Sequence, residues 1–375
     1  MDLPPLYVET KPHKYKIKLL TTQYRSIESV GEVFSQLTYG GVLKHARSDE
    51  EIRALNIEEF LGEYQSLNLI RFPVNQYEGI YRAKHLKFSN YQIYSAIFAF
   101  EFTSYLSQAL SRCNGEEEHF SIGIIAPYGA QAGLIDRLLA SANIPKSINV
   151  TCGTIHGFQG DECDIVIALF NPPPKITTNE QMFLNRRNII NVAISRAKDY
   201  LFVLMPDDNT ENLHNLYLLN NMKSIIQRSY YKQYTSKELE KLLFGVETYL
   251  EDNSFATGHQ LVNVYGEPQK RYEIRSEENA IDVQVHGTSE YLPFWSAERE
   301  NCCPTENEIR DMLISQKVFH SKFGNGSIDG FENAYLVADF ADGKHKFLFP
   351  DCFKTHLFLL DEEVKQKVKL YLQSK

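Results

Sequence analysis

"TIHGFQGDECDIVIALF", residues 154–170, decides how this chain is read. Its DECD looks at first like an acidic box that holds a divalent cation. Such a box follows an apolar strand, which delivers the carboxylates to the ligand edge of a sheet. Here the order is reversed: Asp161, Glu162 and Asp164 precede the apolar run IVIALF. A phosphate-cradling loop, G-x-x-x-x-G-K-[ST], should also lie upstream. None occurs anywhere in the 375 residues. No metal is therefore assigned to these carboxylates. Asp161 is expected in solvent, and Asp164 is expected to cap or pair at the start of its strand.

The chain around this stretch has an ordinary globular composition, 43% hydrophobic, and is long enough for two or three domains. No run of about 18 apolar residues occurs, so no membrane span is expected. The opening residues, MDLPPLYVETKPHK, lack the apolar stretch of a secretory signal. Six cysteines without a C-x-x-C pair read as free thiols in a reducing cytoplasm. A net charge of −9 argues against a protein that coats nucleic acid indiscriminately, but not against a local basic groove. The basic run Lys11, His13, Lys14, Lys16 and Lys18 reads as the solvated face of an edge strand.

From residue 17 to about 227, short β-branched runs alternate with helical patterns. Strands are expected at 17–22, 67–72, 121–126, 148–152, 164–170 and 200–205, and helices at 26–38, 91–112, 129–141, 184–198 and 210–227. Runs such as DIVIALF and YLFVLM are apolar throughout, as strands buried on both faces must be. The alternation implies an α/β fold, a parallel sheet with helices on both faces. Ligands of such sheets sit at the carboxyl ends of the strands. Residues 228–300 read as a β-rich appendage, 301–316 as a linker, 317–362 as a small β-barrel and 363–375 as a charged helical tail. The Asp342-Gly343 pair within the barrel segment is a hairpin signal.

The longer pattern T-x-H-x-x-Q-G-x-E-x-D, followed by an apolar strand, resembles motif V of superfamily-one helicases, in the branch of the nonsense-mediated-decay helicase. Three further stretches match in order. "TTQYRSIESVGEVFSQLTYGGVL" (21–43) resembles motif IV, "IGIIAPYGAQAGLI" (122–135) the P-Y-x-x-Q segment, and "NVAISRAKDYLFVL" (191–204) motif VI. Together they cover about residues 17–206 and imply the second RecA-like domain of such an enzyme, so that domain is expected over 1–227. A shorter match, "VFHSKFGNGSI", resembles the Tudor-like (SH3-like) tail of UvrD- and PcrA-type helicases.

The resemblance implies roles. ATP with Mg would lie between two RecA-like domains, and the second would supply cations for the γ-phosphate: Arg25 and Arg196. A guanidinium offers a planar fork matched to phosphate oxygens, and such a finger is worth on the order of 10³–10⁵ in rate. Tyr24 would stack on adenine. Glu162 would accept a hydrogen bond from the ribose, and Gly160 would let the backbone approach a phosphate. Thr154 and His156 would contact the backbone of single-stranded nucleic acid, beside Pro127 and Tyr128, with Tyr128 offering a face to a base.

The first RecA-like domain of that family, with its phosphate loop and Mg ligands, is not represented in these residues. Region 73–100 also lacks the family's S-x-x-N-x-x-E-A spacing. Two readings stay open. One is the carboxyl-terminal half of an ATP-dependent helicase or translocase, inactive alone and completed by a phosphate-loop RecA-like domain or subunit. It would be a fragment, a truncated gene product or part of a split motor. The other is a non-catalytic nucleic-acid-binding or protein-docking platform.

Overall fold

The computed structural model describes residues 21–55, 57, 65–75, 79–115, 117–158, 161–178, 182–244, 249–256, 258–265, 270–277, 280–287, 306–320, 322–355, 357–361, 364, 368 and 372. The basic run 11–18, Cys302 and Cys303 fall outside them. The chain divides into two compact units, Met1–Tyr291 and Leu292–Lys375.

The first unit is built on a parallel sheet. Its strands are β3 (Leu67–Phe72), β6 (Phe120–Ala126), β7 (Ile148–Thr154), β8 (Cys163–Leu169), β9 (Ala197–Pro206) and β10 (Tyr231–Thr235). They lie in the order β10-β3-β9-β8-β6-β7. Every neighbouring pair is parallel. Side chains alternate along each strand, so β8 splits cleanly. Ile165, Ile167 and Leu169 enter one core cluster, while Val166 and Ala168 enter another. Both faces are covered, which is why DIVIALF carries no polar alternation.

One face is closed by α1 (Glu28–Tyr39), α4 (Arg187–Ile194) and α5 (Tyr217–Ile226). The other is closed by α2 (Ile93–Asn114) and α3 (Gly129–Leu139). This is a RecA-like α/β core. Helix α2 is buried around most of its circumference because a second sheet covers it. That sheet is antiparallel, with strands β11 (Tyr249–Ala256), β12 (His259–Tyr265), β13 (Lys270–Ser276) and β14 (Ile281–His286) in sequence order. Phe102 meets Phe202 of the parallel sheet edge-on at 5.3 Å, and Phe100 meets Tyr272 of the antiparallel sheet at 6.5 Å.

Two small pieces complete the unit. Among the described residues, strand β1 (Thr22–Ile27) pairs in parallel with β2 (Lys44–Arg47) alone, and β4 (Ala83–Leu86) forms a hairpin with β5 (Ser89–Gln92).

Several boundaries differ from the sequence reading. The strand expected at 17–22 lies mostly outside the described residues; within them a strand runs over Thr22–Ile27, pairs with Lys44–Arg47, and is followed directly by α1. The helix expected over 184–198 ends at Ile194. Its stop has a cause: the Arg196 carbonyl accepts from the Cys163 N–H at 3.0 Å, so the backbone there already belongs to the β8–β9 ladder. Strand β10 and the helix α6 (Ser236–Phe244) fall within the stretch read as a β-rich appendage. Strand β10 instead extends the parallel sheet beside β3, so the architecture changes after Phe244.

Among its described residues the second unit has α7 (Glu306–Leu313), a short helix Cys352–Thr355 and five strands, β15 (Lys317–His320), β16 (Gly324–Glu332), β17 (Tyr335–Phe340), β18 (Gly343–Leu348) and β19 (Leu357–Leu359). They form one antiparallel sheet in the order β18-β17-β16-β15-β19. Val318, Ile328, Leu336, Ala338, Leu357 and Leu359 pack with Ile309 and Leu313 of α7. Phe340 pairs with Gly343, so the hairpin loop is Ala341-Asp342, and Gly343 takes the positive φ of 123°.

A buried ion pair joins α2 to the antiparallel sheet. Lys270 Nζ lies 2.6 Å from Glu101 Oε2, and both side chains are almost wholly inaccessible. The Tyr272 hydroxyl donates to the other oxygen of Glu101. Removing one partner leaves a buried charge, at a cost of about 3–5 kcal/mol, whereas an apolar replacement of both can be near neutral. Lys270→Met is therefore expected to lose about that much in urea unfolding, and Glu101→Leu with Lys270→Met to lose clearly less. Equal losses would show that the pair is not the source of the penalty.

Candidate functional site

The 155–162 loop links two edges of the parallel sheet. It leaves β7 at its carboxyl end, Thr154, and enters β8 at its amino end, Cys163. Seven-residue strands separate those edges by roughly 20 Å. The loop is anchored midway by Phe158, which is 1% exposed. An added Cβ on Gly153 would sit 3.0 Å from the Phe158 ring, and one on Gly123 would sit 3.1 Å from it. The two glycines on neighbouring strands thus leave the slot that this ring fills.

At the amino edge, four charged side chains meet. Arg25 Nε donates to Glu162 Oε2 at 2.8 Å, and Lys198 Nζ lies 3.1 Å from Glu162 Oε1. Arg25 Nη1 also donates to the Ser195 carbonyl at 2.9 Å. Arg196 reaches the same loop, with Nη1 donating to the Asp161 carbonyl and Nε to the Val192 carbonyl, both at 3.3 Å. Partial burial, and next the positive charge of Arg25, lower the pKa of Arg196 from its usual value. Hydrogen bonds from Arg25 and then Lys198 hold the Glu162 carboxyl below the usual carboxylate range. Three cations lie near two side-chain carboxylates, Glu162 and the exposed Asp161, which leaves an excess of one positive charge suited to a polyanion.

Arg25 is held in place by its neighbours. The Gln23 side-chain oxygen accepts from the Arg25 and Ser26 N–H groups, both at 3.0 Å. The buried Ser26 hydroxyl donates to the Ala197 carbonyl at 2.6 Å. Arg47 donates to the Arg25 carbonyl at 2.7 Å and to Asp199 Oδ1 at 2.6 Å, which ties β1 and β2 to β9. Tyr24, next to Arg25, is 75% exposed. Gly160 lies outside the described residues.

The expected strand 17–22 and helix 26–38 leave Arg25 between two elements, and ligands of such sheets are expected at the carboxyl ends of the strands. Arg25 lies within β1, and the cluster sits where β8 and β9 begin. Arg196 belongs to the turn between α4 and β9 rather than to a helix. The remaining letters of DECD serve elsewhere. Asp161 is exposed, and Asp164 Oδ2 accepts from the Ser121 hydroxyl and N–H at 2.7 and 2.8 Å, pairing the starts of β8 and β6.

The second group lies at the carboxyl edge. The Thr154 hydroxyl accepts from the Gly157 N–H at 3.1 Å, and its proton can still be donated outward. His156 is exposed, with its ring 6.2 Å from that of Phe183. Tyr128 lies 5.7 Å from the same Phe183 ring, with the Asn90 side chain beside its hydroxyl. Burial raises the Tyr128 pKa well above its usual value, so the ring stays neutral. Pro127 is buried, which leaves surface contact to its neighbours. The structure thus brings Arg25, Glu162 and Arg196 together on one edge, and Thr154, His156 and Tyr128 on the other. Sequence reasoning missed Lys198, Arg47 and Phe183. Lys198 was visible two residues beyond Arg196 in the quoted "SRAKDY"; Phe183 carried no pattern.

A parallel RecA-like sheet that gathers cations at one edge is the architecture of a nucleotide-binding α/β protein. The family described as AAA domain (AAA_12) matches residues 6–207, more than half of the chain, and the chain belongs to that family. It is 34% identical over 85 residues to an uncharacterized ATP-dependent helicase of Caenorhabditis elegans, covering 22% of this chain and 5% of that protein. It is 31% identical over 101 residues to the DNA polymerase alpha-associated DNA helicase A of Saccharomyces cerevisiae, covering 26% of this chain and 14% of that protein. A replicase polyprotein 1ab of Alphamesonivirus 1 is 25% identical over 202 residues, covering 53% of this chain and 4% of that protein. The matches thus span only a small fraction of each relative's length. No helix among the described residues is long and apolar enough to cross a membrane.

Because its pKa is depressed on folding, Glu162 contributes stability above the usual carboxylate pKa and loses it as the pH falls through the lowered value. The group is half exposed, so solvent screening limits the effect to about 0–1 kcal/mol. Glu162→Gln should therefore be slightly less stable than wild type at pH 7 in urea, with the gap closing below about pH 4. A gap that widens in acid would contradict the ion-pair assignment.

Proposed function

We propose that this chain is the second RecA-like part of an ATP-dependent nucleic-acid helicase or translocase. Arg25 and Arg196 act as its arginine fingers. The observation that carries this reading is their convergence on the Asp161-Glu162 end of one loop, 2.8 and 3.3 Å from its acceptors. A site with excess positive charge and guanidinium forks meets the charge that develops on a transferring γ-phosphoryl group. Each Glu162 oxygen has a second lone pair, so the carboxylate can accept a ribose hydroxyl while it holds Arg25 and Lys198. Tyr24 offers its exposed ring to the adenine. Gly160 is assigned to the phosphate approach by its place in the motif.

The phosphate loop and the Mg ligands must come from another RecA-like domain, on the same polypeptide or a separate one, because no G-x-x-x-x-G-K-[ST] loop occurs in this sequence. When bound, ATP with Mg would supply the hydrolysable phosphoanhydride. The residues of this chain orient it and neutralise its charge. At the opposite edge, Thr154 and His156 bind the backbone of single-stranded nucleic acid, and Tyr128 with Phe183 supports them. Residues 317–362 are read as a Tudor-like module. A cytoplasmic setting agrees with the free thiols of Cys152, Cys163 and Cys352.

The test is ATP hydrolysis in the presence of single-stranded nucleic acid. The chain alone is expected to give none, and the chain combined with the phosphate-loop domain is expected to turn over ATP. Arg196→Ala should then lower turnover by on the order of 10³-fold or more and leave nucleic-acid binding unchanged. Turnover by the pure chain, or an Arg196→Ala mixture as active as wild type, would overturn the reading.

A further inference from the structure

The chain carries a net charge of −9, yet residues 82–88, RAKHLKF, contain Arg82, Lys84, His85 and Lys87 and no acid. They form the β4 strand and the tip of the β4–β5 hairpin, which stands between β3 and α2 at the carboxyl edge of the parallel sheet. At the tip, Phe88 is 86% exposed, with Lys87 Nζ 5.5 Å from its ring. An aromatic ring so exposed gains nothing from the core.

The hairpin is fixed along β5. The Ser89 hydroxyl accepts from the Ala130 N–H at 2.8 Å. The Gln92 N–H donates to the Gln131 side chain at 2.7 Å, and the Gln92 amide donates to the Tyr81 carbonyl at 2.8 Å. The Asn90 side chain lies beside the Tyr128 hydroxyl. From there the rings of Tyr128, Phe183 and His156 lead across the carboxyl edge. A cleft of about 930 Å³ opens beside the hairpin, lined by Arg82, Lys84, His85 and Lys87, with Glu277 as its acidic member. On the other side, a recess of about 240 Å³ is lined by Phe88 and Arg137.

We propose that this hairpin is a second nucleic-acid contact. The basic cleft takes the phosphodiester backbone of a single strand that continues from Thr154 and His156, and Phe88 stacks on one of its bases. Such a surface binds without reading sequence, since every base has a π-face and every phosphate the same charge. The inference rests on the nucleic-acid reading given above and extends it to a segment where the family's motif spacing is not kept.

The test is fluorescence anisotropy of the full chain with fluorescein-labelled oligodeoxythymidine and oligouridine of about 20 nucleotides, across a salt series. Phe88→Ala, at a site too exposed to disturb the fold, should weaken binding by about tenfold in at least one arm. Arg82→Ala with Lys87→Ala should reduce the slope of log K against log salt by about 1.4. If both variants bind within about twofold of wild type while Thr154→Ala with His156→Ala weakens, the hairpin assignment is overturned and the carboxyl-edge site stands. If the wild-type chain binds neither oligonucleotide, both assignments fall together.

Discussion

Phe158 occupies a slot that Gly123 and Gly153 leave open on neighbouring strands, and the geometry of both candidate sites follows from that contact. The ring fixes the middle of a loop that must cross from the carboxyl end of β7 to the amino end of β8. With its middle fixed, one end of the loop presents His156 and the other presents the Asp161 carbonyl and the Glu162 carboxylate. A Cβ at either glycine would push against the ring or against Cys163, whose Sγ would lie 2.9 Å from a Cβ on Gly123. A single short segment thus serves two surfaces about one strand length apart, because the slot allows it one path.

Electrostatics then separates the two edges. At the amino edge, three cations lie near the carboxylates of Glu162 and Asp161, and the charge of Arg25 lowers the pKa of Arg196. Such an arrangement is costly without an anion and becomes favourable when one is bound. The scaffold that enforces it is made of neutral and paired groups: the Gln23 turn, the Ser26 hydroxyl on the Ala197 carbonyl, and Arg47 between β2 and Asp199. At the carboxyl edge the Thr154 hydroxyl is short and the Tyr128 ring is neutral, which suits backbone contact and stacking. The acidic balance of the whole chain hides both local basic surfaces.

Much of the sheet was legible in the sequence, because a strand covered on both faces must be apolar at every position, as in β8 and β9. The grouping of Arg25 with Glu162 was also implied by their motifs. Other features were not legible, for reasons that can be stated. Helix α4 stops early because the Arg196 carbonyl is claimed by the neighbouring strand, a pairing that no local pattern records. Strand β10 reads as polar (YKQYT) because it lies at the sheet edge, so it escaped notice. Lys270 and Glu101 look like surface charges until the fold buries them together. The edge on which the cations gather depends on where the loop ends, which Phe158 determines and composition does not.

The most direct measurement is a crystal structure of the chain joined with its phosphate-loop domain and bound to ADP, magnesium and a fluoroaluminate in the γ-phosphate position. The account predicts that the guanidinium groups of Arg25 and Arg196 both lie within hydrogen-bond distance of the fluoroaluminate, at the amino edge of β8 and β9. An analogue seated elsewhere, or contacted by neither arginine, would contradict it.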